Sequence, residues 1–332
     1  KIRTTVVGSW PIPPHLKPQL TAYYRGDVDD DDARAVLQAA ARIAMQEQRA
    51  CGLDQIMGGE VFAPDFVHHV PPRLVGLHCV KRRDHRAGYE GVAVYAIAGD
   101  LGAPRGTGHA LAYRREKAIE PSLDKAAVPS PLTMSIPFFT DPRRDEQMPN
   151  LAALVEAEVL DMVAAGAAEV QLDAPAEAVA LVLGAEPPDV IARWLLFPFR
   201  RVAGIRRTVH FCLGDMGKRP FTQDQHFHAL VPVLQQMDGY VDRVHLECSY
   251  AGQWAERALL ANVPKSIEII AGIADVKSPV QSAGEIRAKI DALLEFVEPE
   301  RLLVSSSCGC GRCTPAQAAE LMRALVSAAH GV

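Results

Sequence analysis

His210-Phe211-Cys212 sets an imidazole and a thiol two residues apart. On a β-strand, residues i and i+2 share a face, so both side chains can reach one ion. Two more ligand types close other apolar runs: Glu247 ends Val244-His245-Leu246-Glu247, and Cys308 follows Leu302-Leu303-Val304. One imidazole, two thiolates and a carboxylate form a tetrahedral set suited to zinc, whereas magnesium or calcium would ask for oxygen ligands alone. A thiol is a weak nucleophile at pH 7, and zinc would hold it as a reactive thiolate. The implied chemistry is alkyl transfer to a small thiol, with Glu247, the hardest donor, giving way to the incoming sulfur. A zinc hydrolase or lyase using metal-bound water is a rival, weakened because anionic ligands make that water less acidic. Another rival is a non-catalytic zinc or redox protein built on Cys308-Gly309-Cys310-Gly311-Arg312-Cys313. That cluster lacks a second close-spaced cysteine group to complete a four-cysteine site, and Cys310 and Cys313 are bystanders or a redox pair. Cys248, beside Glu247, points the opposite way into the core. Cys51 and Cys79 also read as core.

The elements that must position these groups repeat along the chain. Apolar or β-branched runs at Thr4–Gly8, Gln55–Gly58, Leu132–Ile136, Glu169–Leu172, Thr208–Cys212, Arg243–Glu247, Ile267–Ile273 and Arg301–Ser305 read as strands buried on both faces. Helical patterns lie between them, notably Asp31–Ala50, Leu151–Ala165, Ser282–Phe296 and Pro315–Ala329. Eight such strands alternating with helices predict an α/β TIM (β/α)₈ barrel, whose catalytic groups sit at the carboxyl ends of the strands. The rival open, doubly wound sheet needs a G-x-G-x-x-G turn after its first strand, and Gly8-Ser9-Trp10-Pro11 stands there instead. Pro71-Pro72 and the Gly-punctuated Gly88–Tyr95 stretch predict a β-hairpin insertion after the second strand, at about 67–130. The remainder reads as one catalytic domain over 1–332.

Composition removes other classes. Apolar residues make up 48% and charged residues 23%, which excludes disorder. The net charge of −5, with only short arginine pairs such as Arg82-Arg83, Arg143-Arg144 and Arg206-Arg207, argues against nucleic acid. No run of 18 apolar residues predicts a membrane span. Seven cysteines, an odd number, with no recognisable secretory leader predict reduced thiols in the cytoplasm.

Along nearly its whole length the sequence resembles the catalytic C-terminal barrel of cobalamin-independent methionine synthases. Thr4-Thr5-Val6-Val7-Gly8-Ser9-Trp10-Pro11 is similar to the family's T-T-x-x-G-S-[FY]-P opening, and Gly58-Gly59-Glu60 to its [DH]-G-E signature. Val170-Gln171-Leu172-Asp173-Ala174-Pro175 resembles the I-Q-x-D-E-P strand. The closing Glu300–Gly309 stretch resembles P-x-R-L-x-V-N-P-D-C-G. The resemblance implies zinc on His210, Cys212, Glu247 and Cys308. It also implies homocysteine as the thiol, giving methionine, with Ser9 holding its carboxylate and Glu60 and Asp173 its ammonium group.

Several positions depart from the family. Ala174 replaces the glutamate of D-E-P, and Ser305-Ser306-Ser307 replaces N-P-D. Lys277 stands where the family has a histidine thought to donate a proton, which makes Asp173 and Lys277 the candidate catalytic groups. Pro131–Phe138 carries no tryptophan to stack on a folate. The family's N-terminal half is missing, which reads as a stand-alone core. Both departures count against methylfolate as donor, although Trp10, Phe138 or Phe139 could substitute for the indole. A methylated corrinoid protein, a sulfonium or an epoxide are the other donors, and a coenzyme M type of thiol is the other acceptor.

Overall fold

The computed structural model describes residues 1–63, 66–81, 93–215 and 217–331. Its centre is a curled parallel sheet of seven strands: β1 (Arg3–Thr5), β4 (Lys125–Pro129), β5 (Glu169–Asp173), β6 (Arg206–Phe211), β7 (Arg243–Glu247), β8 (Glu268–Ala274) and β9 (Leu302–Ser306). They run in the order β1-β9-β8-β7-β6-β5-β4, all parallel. Every residue of β5, β7 and β9 is buried, because helices cover one face and the barrel interior the other. This is the predicted TIM-like barrel. Helices α2 (Asp30–Ala50), α5 (Met148–Ala164), α10 (Ala283–Leu293) and α11 (Pro315–His330) match the sequence pattern within three residues at each end. Capping explains their sharp starts. Asp29 accepts from the Asp31 and Asp32 amides, while Ser282 with Glu285 and Thr314 with Gln317 form reciprocal capping boxes.

The eighth strand is irregular. Gln55–Gly58 forms no regular strand, yet it lies along β1: the Gln55 amide donates to Thr4 O at 3.1 Å, and Gly59 forms a parallel bridge with Ser9. The Gln55 side chain fastens this segment to the base of the barrel, reaching Asp124 at 3.3 Å and Glu169 at 3.2 Å.

Three further expectations are corrected. Leu132–Ile136 is not the third strand; β4 precedes it, and Pro131–Met134 is a short helix, α4. Pro131, which has no amide hydrogen to give a ladder, sits in its first turn. The insertion is also shorter than 67–130, since α3 (His109–Ile119) and β4 within that range belong to the barrel. The hairpin itself is present as β2 (Val75–Lys81) paired antiparallel with β3 (Val94–Gly102), while Gly88–Val92 lie outside the described residues. Cys79, on β2, is exposed rather than in the core, because this two-stranded ribbon has a solvent face.

The base of the barrel holds a buried ionic cluster. Glu169 receives Arg243 Nη1 at 2.5 Å and the Thr208 hydroxyl at 2.8 Å, with Lys125 Nζ at 3.9 Å. Arg243 also pairs with Glu268 at 2.5 Å. Each buried charge thus has a counter-charge, which is the condition for tolerating it.

Candidate active site and metal centre

At the opposite end of the strands, His210, Cys212 and Cys308 bring one ligand atom each to within 4.8 Å of one another. His210 is on β6, Cys212 directly after it, and Cys308 just beyond β9. Both nitrogens of the buried His210 ring lack a hydrogen-bond partner among the described residues. A buried imidazole left unsatisfied is costly, so the orphaned nitrogens fit a metal ligand. The hydrogen bond between the two thiols, with His210 and Lys277 nearby, holds Cys308 well below the usual thiol range, while the same bond and burial push Cys212 well above it.

Glu247, at the end of β7, stands beside this trio but outside it. One carboxylate oxygen accepts from the Leu213 amide at 3.0 Å, and the other is ion-paired with Lys277. Burial would lower the Lys277 ammonium, but Glu247, Cys308 and Cys212 outweigh it and raise it, so the side chain is a fixed cation. It also lies 4.9 Å from the centre of the Tyr250 ring. Cys310 is buried, and Cys313 contacts Val276 O at 3.5 Å; neither joins the ligand trio. Cys51 and Cys248 are buried, as expected.

The neighbouring cavity is acidic. Glu60 and Asp173 line it together with Glu116 on α3, His109 and Tyr113. Burial pushes Asp173 up to about 6 and, with Asp173, Glu116 and Cys308, drives Glu60 well above the carboxylate range. Gln171 Nε2 orients Asp173 at 2.7 Å. Glu60 has φ 59°, a left-handed backbone that non-glycine residues rarely adopt. The glycines around it are spatial requirements: a Cβ on Gly8 would lie 2.1 Å from Glu60 Oε1, and one on Gly58 1.9 Å from Glu116 Cδ. Ser9 is held at the cysteine loop, where the Gly311 amide donates to its hydroxyl at 3.4 Å and the Cys310 amide to its carbonyl at 2.9 Å.

Glu116 was not among the sequence candidates. Its one signal is position: seven residues after His109 and three after Tyr113, it falls on the buried stripe of α3. Burial raises its pKa to about 8, so native stability falls as pH rises from about 4.5 to 8, by about 1.4 kcal/mol per unit. Glu116→Gln is expected to stabilise the substrate-free protein by about 2–3 kcal/mol at pH 7 and by nothing at pH 4. Urea midpoints at the two pH values check this.

The family described as cobalamin-independent synthase, catalytic domain, matches residues 2–331. The chain belongs to that family. Among curated relatives, the 5-methyltetrahydropteroyltriglutamate–homocysteine methyltransferase of Ralstonia pickettii is 26% identical, covering 92% of this chain and 39% of the relative. The protein of the same name from a Synechococcus strain is also 26% identical, covering 98% of this chain and 43% of the relative. The chain thus spans about two-fifths of these relatives' length. In fold it is similar to a B12-independent methionine synthase from Shewanella sp. W3-18-1, solved with selenomethionine. That match has a TM-score of 0.81 and 21% identity, covering 99% of this chain and 97% of that one. A Listeria monocytogenes protein described as a putative vitamin-B12 independent methionine synthase gives a TM-score of 0.71 at 18% identity, covering 98% of this chain and 96% of that one. Membership of a cobalamin-independent family removes the support for a corrinoid protein as donor. Among the described residues no helix is long and apolar enough to cross a membrane.

Proposed function

We propose that the chain transfers a methyl group to the sulfur of homocysteine, forming methionine, with zinc on His210, Cys212 and Cys308 and Glu247 as the displaceable fourth ligand. The observation that carries this reading is the convergence, at one end of the barrel, of an imidazole and two thiols with the carboxylates of Glu60 and Asp173. Zinc, when bound, supplies the positive charge that keeps a substrate thiol deprotonated at neutral pH. Glu60 and Asp173 bind the substrate ammonium by charge-assisted hydrogen bonds, and Ser9 holds its carboxylate. Lys277 keeps a positive charge beside Glu247, drawing that carboxylate away from the trio and leaving room for sulfur. Relatives named for transfer from a methyltetrahydropteroyl donor to homocysteine support the reaction class.

Titration of zinc-loaded protein with homocysteine is expected to release a proton. Thiols lacking the amino group should bind at least ~10-fold more weakly, a loss of about 1.4 kcal/mol. Equal binding of both classes would remove the role given to Glu60 and Asp173, and no proton release would remove the thiolate mechanism.

The donor depends on what can stack a pteridine. Trp10 is buried with its indole N–H donating to Glu47 at 2.7 Å, and Phe138 is buried too. Phe139 alone of the three aromatic candidates is exposed, with the Arg144 guanidinium 4.5 Å from its ring centre. Stacking adds about 1 kcal/mol beyond burial, so methyltetrahydrofolate is expected to be a slower single-turnover donor than a sulfonium run in parallel. Fast turnover with methylfolate alone would overturn this.

A further inference from the structure

A second group of ligating side chains lies on the loops that follow β6 and β7. His226 Nδ1 and His228 Nδ1 stand 3.0 and 2.9 Å from the same carboxylate oxygen, Oε1 of Glu256. The other oxygen, Oε2, accepts the backbone amides of Phe227 at 2.6 Å and His228 at 3.0 Å. The carboxylate is therefore oriented from behind, with Oε1 turned to both imidazoles. All three ligand atoms fall within 4.8 Å of one another. The two rings have centroids 5.5 Å apart and are tilted by 39°.

This spacing suits an ion. Each Nδ1 is at hydrogen-bond distance from the shared acceptor Oε1, and an octahedral ion with bonds of about 2.1 Å, set at right angles, holds neighbouring ligand atoms at the same spacing of about 3 Å. Two imidazoles and a carboxylate favour a divalent transition ion, while an all-oxygen set would be wanted by magnesium or calcium. We propose that His226, His228 and Glu256 form a second metal site, for Zn²⁺, Ni²⁺ or Co²⁺, distinct from the thiolate trio. His226 and His228 are on the loop that leaves the barrel just after Cys212, and Glu256 follows α9 (Ala251–Ala255), beyond Glu247. An ion there staples together the two loops that carry those residues. Its remaining positions face solvent, because both imidazoles are exposed. The role is structural.

Cobalt titration of the metal-free protein tests this independently of the function proposed above. Co²⁺ at the trio produces sulfur-to-metal charge-transfer absorption, and Co²⁺ on two imidazoles and a carboxylate produces none. Wild type is expected to bind two equivalents, one of them without that band. The double substitution His226→Ala/His228→Ala is expected to lose the sulfur-free equivalent and keep the band. Glu256→Gln is expected to weaken the same equivalent at least tenfold. Uptake of no sulfur-free equivalent by wild type, or its retention in the double variant, would overturn the proposal.

Discussion

Cys212→Ser and Cys308→Ser proteins are expected to bind no zinc at the trio and to lose methyl transfer by more than ~100-fold. Removing a residue that merely orients a metal ligand already costs ~10–100-fold in affinity or activity, and these substitutions remove the ligands themselves. A hydroxyl neither ionises at neutral pH nor matches the softness of sulfur toward zinc. Both cysteines belong to the converged group, which among the described residues holds no third thiol. Elemental analysis after gel filtration, paired with a single-turnover assay, checks the result. A zinc content equal to that of wild type in both variants would show that the ligands lie elsewhere. Cys310→Ser and Cys313→Ser are the internal controls and are expected to keep their metal.

Lys277→Met is expected to destabilise the fold by about 3–5 kcal/mol, the cost of stranding one partner of a buried pair. The Lys277 side chain is 2% exposed and that of Glu247 fully buried. The loss is not a measure of the pair's worth, since replacing both partners with apolar groups is often neutral. The double substitution Lys277→Met/Glu247→Leu should therefore recover most of the stability while still failing in transfer. Urea denaturation of the four proteins of this cycle gives the coupling. If the losses of the two single variants simply add in the double variant, the two side chains do not interact. Stability and transfer, read together, separate the structural part of Lys277 from its proposed part in the reaction.

Much of this was legible in the residues. The strands that carry His210 and Glu247 and lead to Cys308 read correctly because they are largely buried on both faces, which leaves short apolar or β-branched runs between polar boundaries. Leu132–Ile136 misled for the same reason: a short apolar run serves a buried strand and a buried helical turn equally well. Gln55–Gly58 was placed correctly but not as a regular strand, because its hold on the barrel comes largely through the Gln55 side chain. Proximity across the barrel was beyond reach. That Glu247 spends its charge on Lys277, and that Glu116 joins Glu60 and Asp173, depend on loops and helices whose relative placement no local spacing encodes.

The ionic cluster around Glu169 bears on how this protein can change. Glu169 opens β5 and Asp173 ends it, so at 3.3 Å per residue the cluster and the acidic cavity are about 13 Å apart. Sites that far apart usually respond to substitution independently, although the charge of Lys125 reaches both Glu169 and Asp173 and links them. Strand attachment is thus guaranteed from one end while chemistry is performed at the other. Exchanging the segments that follow the strands, with the Lys277–Glu247 pair kept, should alter acceptor preference while the melting temperature stays near its parent value. For laboratory evolution this makes the chain a scaffold whose working end can be diversified heavily, provided Lys125, Glu169, Arg243, Glu268, Glu247 and Lys277 are left alone.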